Sequence, residues 1–381
     1  MFTPSATPPT LKVGIFRSSS IGDVVLATSC LDLLYNLNMS VEVTWFGSQP
    51  SLQLLSFFQP NIRCVEIKSS DLKSQIRSLN NINDLAFIVD LQTNLRSSLV
   101  CKFMKREYGI PSYSCKKGSL DRMLMVAAAR FRGRKGNFDS SPTEKSQYMV
   151  MADCLRGALE KHLPVEMRDE IKTYVPKPFL GAPEQAREFP WQKELRFGHW
   201  LAIAPGAAHV AKQTPVEVHV EILRLVKEQL LASDRRINLV FLGNEKDRKI
   251  AVEILEQLQW PWSILNLAGK LTLAESSLAA KEAEVVISND SSMCHIAEAM
   301  GIPVAALFGP TSERFGFPPW RKESRSFSSG LGCRPCSKHG SVSCRYGDSL
   351  CFKEIDSEEV SSFLLSLILN LEESKVGAEG E

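Results

Sequence analysis

The stretch V-I-S-N-D-S-S-M-C-H-I-A-E-A-M-G-I-P, from Val286 to Pro303, decides the fold. A short apolar run ends at Ser288, polar capping residues follow, and apolar residues then recur at helical spacing before G-I-P closes the unit. A buried strand therefore leads into a helix that begins around Ser291, with Asp290 and Ser291 as capping residues. Ser292 and Met293 would present free amides to an anion, and His295, one turn inside, could bond the same ligand. The alternative is a capped helix behind a strand, with a satisfied core histidine.

Working outward, the same alternation repeats. G-I-P-V-A-A-L-F-G-P-T supplies another buried strand, Val304 to Phe308, ending in a Gly309-Pro310-Thr311 loop. Upstream, Leu201 to Ala204 and Ile237 to Leu242 read as strands, and Val216 to Leu231 and Arg248 to Leu258 as helices. In the first half Val13 to Phe16, Val41 to Phe46, Cys64 to Ile67 and Leu85 to Val89 read as strands. A helix runs through Val24 to Leu37, and another carries Tyr148, Met149, Met151, Cys154, Leu155 and Leu159. Strands alternating with amphipathic helices predict an α/β protein with two parallel, doubly wound sheets. Four prolines between Pro176 and Pro190 mark the crossing between halves. The expected division is 1–176, a linker at 177–196, a second domain at 197–355, and a helix and tail at 356–381, with Asp356 as N-cap.

Composition agrees with a folded, soluble chain. It has 381 residues, 44% of them apolar and 23% charged, with a formal charge of +2. No run is long and apolar enough to span a bilayer, and M-F-T-P-S-A-T-P-P-T does not read as a signal peptide. The expected location is the cytoplasm. Of ten cysteines, six are scattered as small apolar residues, whereas Cys333, Cys336, Cys344 and Cys351 cluster as C-x2-C-x7-C-x6-C. Four thiolates are a zinc-type ligand set, though this spacing is irregular.

Two further strand-to-helix turns carry polar groups. In F-R-S-S-S-I-G-D-V-V, Phe16 to Val25, Asp23 either points into a cleft at the strand's carboxyl end or caps the helix. No G-x-G-x-x-G is present, which disfavours a nicotinamide dehydrogenase. In A-I-A-P-G-A-A-H-V-A-K-Q-T-P, Ala202 to Pro215, Lys212 precedes a helix start with Thr214 as N-cap and Pro215 as first helical residue. A cation beside free amides suits a phosphate, and a solvated loop lysine is the alternative.

Together R-S-S-S-I-G-D-V-V, the P-G-A-…-K-x-x-P loop and N-D-S-x-x-x-H-x-A-x-A-x-G-x-P-…-L-F-G-P-T resemble the signatures of family 9 glycosyltransferases, the bacterial heptosyltransferases. The resemblance implies a GT-B fold, two Rossmann-like domains facing a central cleft, with acceptor on the first and sugar nucleotide on the second. It implies Asp23 as general base in an inverting transfer. Lys212 and the amides around Asp290, Ser291, Ser292 and Met293 would neutralise the departing diphosphate without a metal or other cofactor. Ser19 and Ser20 would flank the transferred group, His295 would face the donor, and Asp247 resembles the ribose-holding position. Asp90, Gln92 and Arg96 resemble the acceptor-side segment. Two departures stand out: Thr214 where the family commonly has Trp, and Ser292 where it commonly has Gly.

The implied partners are a sugar nucleotide, ADP-heptose first among them, and an acidic, lipid-linked saccharide at the inner-membrane surface. Between Lys102 and Lys135 ten Lys or Arg face only Glu107 and Asp121, which suits such an acceptor or else a solvated basic face. No nucleic-acid motif accompanies the charge. The rival readings are a family member using another sugar nucleotide and a non-catalytic nucleotide-binding protein of the same fold.

Overall fold

The computed structural model describes residues 10–68, 72–116, 118–139, 141, 145–183 and 188–376. The leader reading at residues 1–9, part of the expected linker at 184–187 and the tail end at 377–381 lie outside the described residues. The chain forms two compact units, one of residues 1–117 with 147–186, the other of 118–146 with 187–381.

In the first unit the strands are β1 (Leu11–Phe16), β2 (Val41–Gly47), β3 (Arg63–Glu66), β4 (Phe87–Asp90) and β5 (Ser112–Ser114). Its helices are α1 (Ile21–Ala27), α2 (Ser29–Tyr35), α3 (Ser51–Phe58), α4 (Leu72–Arg77) and α5 (Leu95–Tyr108). After α6 (Ser119–Arg132), which groups with the other unit, α7 (Gln147–His162) and α8 (Val165–Thr173) return to it. All strands are parallel, in the order β3-β2-β1-β4-β5. The single helix expected over Val24 to Leu37 is broken at Thr28, whose hydroxyl bonds back to Val25 O at 2.6 Å and accepts from Phe179 N at 2.9 Å. A hydroxyl that turns on its own helix backbone competes with the next helical turn.

The second unit continues with α9 (Pro190–Arg196), β6 (Trp200–Ala204), α10 (Val216–Ala232), β7 (Asn238–Phe241), α11 (Glu245–Leu258) and β8 (Ile264–Asn266). It ends with α12 (Leu273–Lys281), β9 (Val285–Asn289), α13 (Ser292–Ala299), β10 (Val304–Phe308), β11 (Arg325–Ser328), α14 (Leu350–Lys353) and α15 (Ser357–Val376). The strand order is β11-β10-β9-β6-β7-β8, again all parallel. Read from its own first strand this is 3-2-1-4-5-6, the doubly wound Rossmann order. The central strands β6, β9 and β10 are buried along their whole length, because helices cover both faces. Leu201, Ile222, Val226, Phe241, Ile254 and Ile287 form its core, and Val360, Leu364 and Ile368 of α15 complete it.

The expected boundaries are thereby displaced. Residues 118–146, expected in the first domain, pack with the second: Arg132 donates to Gly332 O at 3.1 Å and Arg334 O at 2.7 Å, and Asn137 bridges Leu331. The helix expected from Asp356, whose apolar residues could pack on either half, joins the second core through Val360, Leu364, Leu365 and Ile368.

Candidate functional site

Doubly wound sheets place ligands at the carboxyl edge where strand order reverses. In the second unit that point lies between β6 and β9, and in the first between β1 and β4.

At the β6/β9 edge Asn289 is fully buried. Its Nδ2 donates to Pro205 O at 2.7 Å and Gly206 O at 3.2 Å, while its Oδ1 accepts from Thr214 N at 3.1 Å and Thr214 Oγ1 at 2.5 Å. One amide thus ties the loop after β6, at both its ends, to the tip of β9. Thr214 serves this latch and does not cap: α10 starts at Val216, with Pro215 in the cap position. A buried acceptor from the neighbouring strand claims the hydroxyl, because leaving that acceptor unpaired is costly.

Between the latched ends, Lys212 closes a short 3-10 turn over Val210–Lys212. Its ammonium lies 2.7 Å from Asp290 Oδ2, and Thr311 Oγ1 donates to the same oxygen at 2.7 Å. Both members of the pair are mostly buried. Asp290 is therefore held by the lysine and by the Gly309-Pro310-Thr311 loop, and the N-cap of α13 is Ser291 alone. No side chain among the described residues caps the first-turn amides of α13. Ser291 and Ser292 are half-buried beside them, and Met293 is buried. The lysine stem passes over Gly340, where an added Cβ would come 2.2 Å from Lys212 Cγ, and Gly340 adopts φ +75°. Only glycine tolerates both demands.

His295 is 5% exposed and groups with Cys294 and Glu298, their ligand-type atoms lying within 4.8 Å of one another. Glu298 Oε1 accepts from the amides of Trp320 and Arg321, each at 2.8 Å. Burial dominates those favourable bonds and pushes its carboxyl up to about 7.

Asp247, at the position the resemblance implies for holding a ribose, lies in the first turn of α11, and its Oδ1 is buried with no hydrogen-bond partner among the described residues. It is 5% exposed, its Oδ2 accepts from Asn244 N at 2.8 Å, and burial raises its pKa against that bond. A Cβ on Gly206 would meet Asp247 Oδ1 at 2.0 Å, so the carboxylate is wedged beneath the lysine loop. The open carboxylate at this edge is Glu245, in the first turn of α11, whose side chain is 70% exposed.

In the first unit, Asp23 sits at the third position of α1, with Ser20 at the N-cap. Its Oδ2 accepts from Ser20 N at 3.0 Å and Ser20 Oγ at 2.7 Å, and its Oδ1 lies 2.6 Å from Arg17 Nη2. Burial would raise its pKa, but Arg17 and Ser20 outweigh it and hold the carboxyl below the usual range. Gln92 Oε1 accepts from Ser18 N at 3.0 Å and Ser19 N at 3.3 Å, tying the β4 turn to the β1 turn. Asp90 is 1% exposed: its Oδ1 accepts from Gln92 N and Thr93 N, and its Oδ2 accepts from Ser97 Oγ at 2.8 Å. Its carboxylate shapes the turn, leaving Ser19 and Ser20 exposed and Arg96 half-buried on the first turn of α5.

The four clustered cysteines line one pocket together with Arg134, Arg345 and Tyr346. Among the described residues the only group of three metal-type ligands within 4.8 Å is Cys294, His295 and Glu298, so the four sulfurs do not converge. The Cys344 sulfur is surrounded by the amides of residues 346 to 349, which outweigh burial and lower its pKa, while Cys351 is pushed up to about 12 by burial.

Several residues of these sites lack a motif of their own. Arg17 was visible only as a basic residue beside the serine turn. Asn289 was legible as polar at a strand end, but its latch depends on both ends of the loop after β6 meeting the tip of β9. Arg334, fully buried, donates to Gly309 O at 2.6 Å and Thr311 O at 3.1 Å and so fixes the loop that holds Asp290.

Two Rossmann-type units, each with polar groups gathered at its switch point, define a GT-B fold. Residues 166–346 match the model of glycosyltransferase family 9 (heptosyltransferase). The chain is 20% identical over 310 residues to lipopolysaccharide heptosyltransferase 1 of Campylobacter coli, covering 79% of this chain and 84% of that one. It is 23% identical over 299 residues to the lipopolysaccharide core heptosyltransferase OpsX of Haemophilus influenzae, covering 77% and 78%. The solved structure of Escherichia coli ADP-heptose LPS heptosyltransferase II superposes with a TM-score of 0.62 at 20% identity, over 95% of this chain and 100% of that one. These matches make the chain similar to glycosyltransferase family 9 and support an enzyme of glycosyl transfer.

Proposed function

We propose that the enzyme transfers a heptose from ADP-heptose to an acidic lipopolysaccharide-core acceptor, with inversion at the anomeric carbon and without a metal. The observation that carries this reading is the Lys212–Asp290 pair, 2.7 Å apart, next to the uncapped first turn of α13 at a switch point. A diphosphate arriving there exchanges one carboxylate for a stronger anion on the same ammonium, and the amides of Ser292 and Met293 add fixed dipoles. As the bond to the sugar breaks, charge builds on the diphosphate, and these groups stabilise it without reorganising. Ser291 and His295 belong to the same helix, and Asp247, whose Oδ1 is buried without a partner among the described residues, holds the ribose beside the exposed Glu245.

Asp23 acts as the base. Arg17 keeps it ionised at neutral pH, which a proton acceptor requires, although the same pairing weakens its basicity. It removes the proton of an acceptor hydroxyl, whose oxygen attacks the anomeric carbon opposite the departing ADP. Ser19, Ser20, Gln92 and Arg96 offer donors to the acceptor and the transferred group, and Asp90 keeps their turn in shape. The relatives' names, which specify heptosyltransferases acting on lipopolysaccharide, support the sugar and the acceptor class. The enzyme works at the cytoplasmic face of the inner membrane; no helix among the described residues is long and apolar enough to cross it.

The test pairs a thermal-shift panel of ADP-, UDP- and GDP-sugars with the Asp23→Asn variant. Stabilisation by ADP-heptose over the others is expected, and a preference for UDP- or GDP-sugars would transfer the reading to another donor. Asp23→Asn is expected to slow turnover by about 10²–10⁴-fold, the usual worth of a positioned base, with ADP affinity nearly unchanged. A variant of full activity removes Asp23 from the chemistry.

A further inference from the structure

The α6 helix turns its apolar stripe the wrong way for a core element. Leu120, Met123, Leu124, Ala127, Ala128 and Phe131 follow the i, i+3, i+4, i+7, i+8, i+11 spacing of one helical face, and all six are exposed. Leu120 is 68% exposed, Leu124 58% and Phe131 91%. The opposite face is the anchored one. Ala129 is buried, Arg122 stacks 5.0 Å from the Phe317 ring, and Arg132 donates to Gly332 O and Arg334 O. The helix is therefore fixed in rotation with its apolar side outward. An apolar face held open in this way marks an interaction surface.

Its surroundings are basic. Lys116, Arg130, Lys135 and Arg345 are exposed, and among the described residues none has a carboxylate within ion-pair distance. Asp121 is the one acidic residue of the helix. At its C-terminal end Arg345 Nη1 reaches Arg130 O at 3.5 Å, and Tyr346 lies between the guanidinium groups of Arg134 and Arg345, each 4.8 Å from its ring. A short helix with Leu and Phe on one side, basic residues around it and an amphipathic aromatic at its end is the pattern of an element lying in a membrane interface.

We propose that α6 docks the enzyme on an anionic lipid bilayer, its stripe immersed below the headgroups and Arg130, Lys135 and Arg345 set against lipid phosphates. The proposal rests on the reading that the acceptor is lipid-linked, since docking then brings the enzyme to its substrate. A second copy of the chain fits less well: a two-fold contact through α6 would set the same basic residues against one another.

The experiment is co-sedimentation of the full chain with phosphatidylglycerol-containing vesicles and with pure phosphatidylcholine vesicles. It compares wild type with Leu124→Glu/Phe131→Glu and with Arg130→Gln/Lys135→Gln. Transfer to a delipidated, water-soluble acceptor and thermal unfolding are followed in parallel. Wild type is expected to partition onto the anionic vesicles and to release as salt rises. Both variants are expected to bind them at least about tenfold more weakly, since apolar burial and surface charge both contribute to such binding, while unfolding stays unchanged in both and soluble-acceptor transfer stays unchanged in Leu124→Glu/Phe131→Glu. Wild type that fails to bind anionic vesicles, or variants that bind as well, overturns the proposal. So does wild-type self-association in sedimentation velocity that Leu124→Glu/Phe131→Glu abolishes, which would assign the stripe to a second copy. Vesicle binding with no transfer to any heptose acceptor would instead remove the glycosyl acceptor reading and leave the docking intact.

Discussion

At the scale of single residues, both groups assigned to the chemistry face an opposite charge: Asp23 meets Arg17, and Lys212 meets Asp290. Such pairing keeps each group charged and oriented, and it makes the Lys212→Ala variant worse than a simple loss of one cation. The uncovered Asp290 carboxylate would then repel the donor's phosphates. ADP affinity is expected to fall at least about tenfold and turnover by roughly 10²-fold, in the range for removing an oriented electrostatic contact. The Lys212→Ala/Asp290→Asn double variant is expected to regain part of the affinity, because neighbouring effects are not additive. Calorimetric titration with ADP reads this, and equal affinities for the single and double variants would separate Asp290 from donor binding.

Glu298 makes a second prediction at this scale. Its carboxyl titrates near 7 in the fold against an ordinary 4.5, so the folded state holds its proton more tightly than the unfolded chain. The resulting stability is fully present below pH about 4.5 and is lost as pH rises through 7, an effect on the order of 3 kcal/mol. Glu298→Gln keeps the acceptor for Trp320 N and Arg321 N and cannot ionise. It is expected to be more stable than wild type at pH 8 and to flatten the fall between pH 5 and 8 in denaturant melts. His219 acts in the opposite sense: burial lowers its pKa to about 4, so its contribution is lost as pH falls below 6.5.

At the scale of elements, the strand-to-helix turns after β1, β6 and β9 were legible because each joins a buried apolar run to a polar turn and an amphipathic helix. Three of the four short edge strands were not. β5, β8 and β11 have three or four residues each and carry no strong alternation; they exist because a neighbouring strand offers its ladder. Helix starts moved by a residue where tertiary hydrogen bonds outbid local capping, as Thr214 and Asp290 illustrate. The loop after β6 depends on a close approach that sequence spacing does not reveal. Gly206→Ala places a methyl 2.0 Å from Asp247 Oδ1, and relief requires moving a carboxylate held in the first turn of α11. That variant is expected to lose about 1–3 kcal/mol, the cost of overpacking, and to bind ADP more weakly. Gly206→Ala/Asp247→Ala is expected to recover stability, as urea melts of both would reveal.

At the scale of the molecule, the order of segments along the chain does not match the order of the units. The segment holding α6 leaves the first unit's sequence and packs on the second, and α15 returns from the C-terminus to close the second core. Val360, Leu364, Leu365 and Ile368 are each at most 6% exposed. At about 1.5–3 kcal/mol for each buried side chain, they contribute roughly 6–12 kcal/mol, comparable with the net stability of a whole domain. A chain ending at Ile355 is therefore expected to lose the cooperative unfolding of the second unit, measured by circular dichroism, together with ADP binding. Retention of either would make α15 an appendage.

By itself the sequence determined the doubly wound α/β class, the strand ends that carry Asp23, Lys212 and Asp290, and the resemblance to a glycosyltransferase family, because periodicity, turn chemistry and signature order are properties of neighbouring residues. Only the tertiary structure decided which polar side chains stay open to a ligand. Asp90 resembles a ligand contact in sequence, yet both its oxygens serve the turn that it holds, whereas Asp247 keeps a buried Oδ1 without a partner among the described residues and Glu245 stands exposed. It likewise decided that α6 faces its apolar stripe outward, since a helix's periodicity specifies that a stripe exists and the anchors on its other side, Arg122, Ala129 and Arg132, fix where it points. Burial and partnership arise between segments far apart in the chain, and no local pattern encodes them.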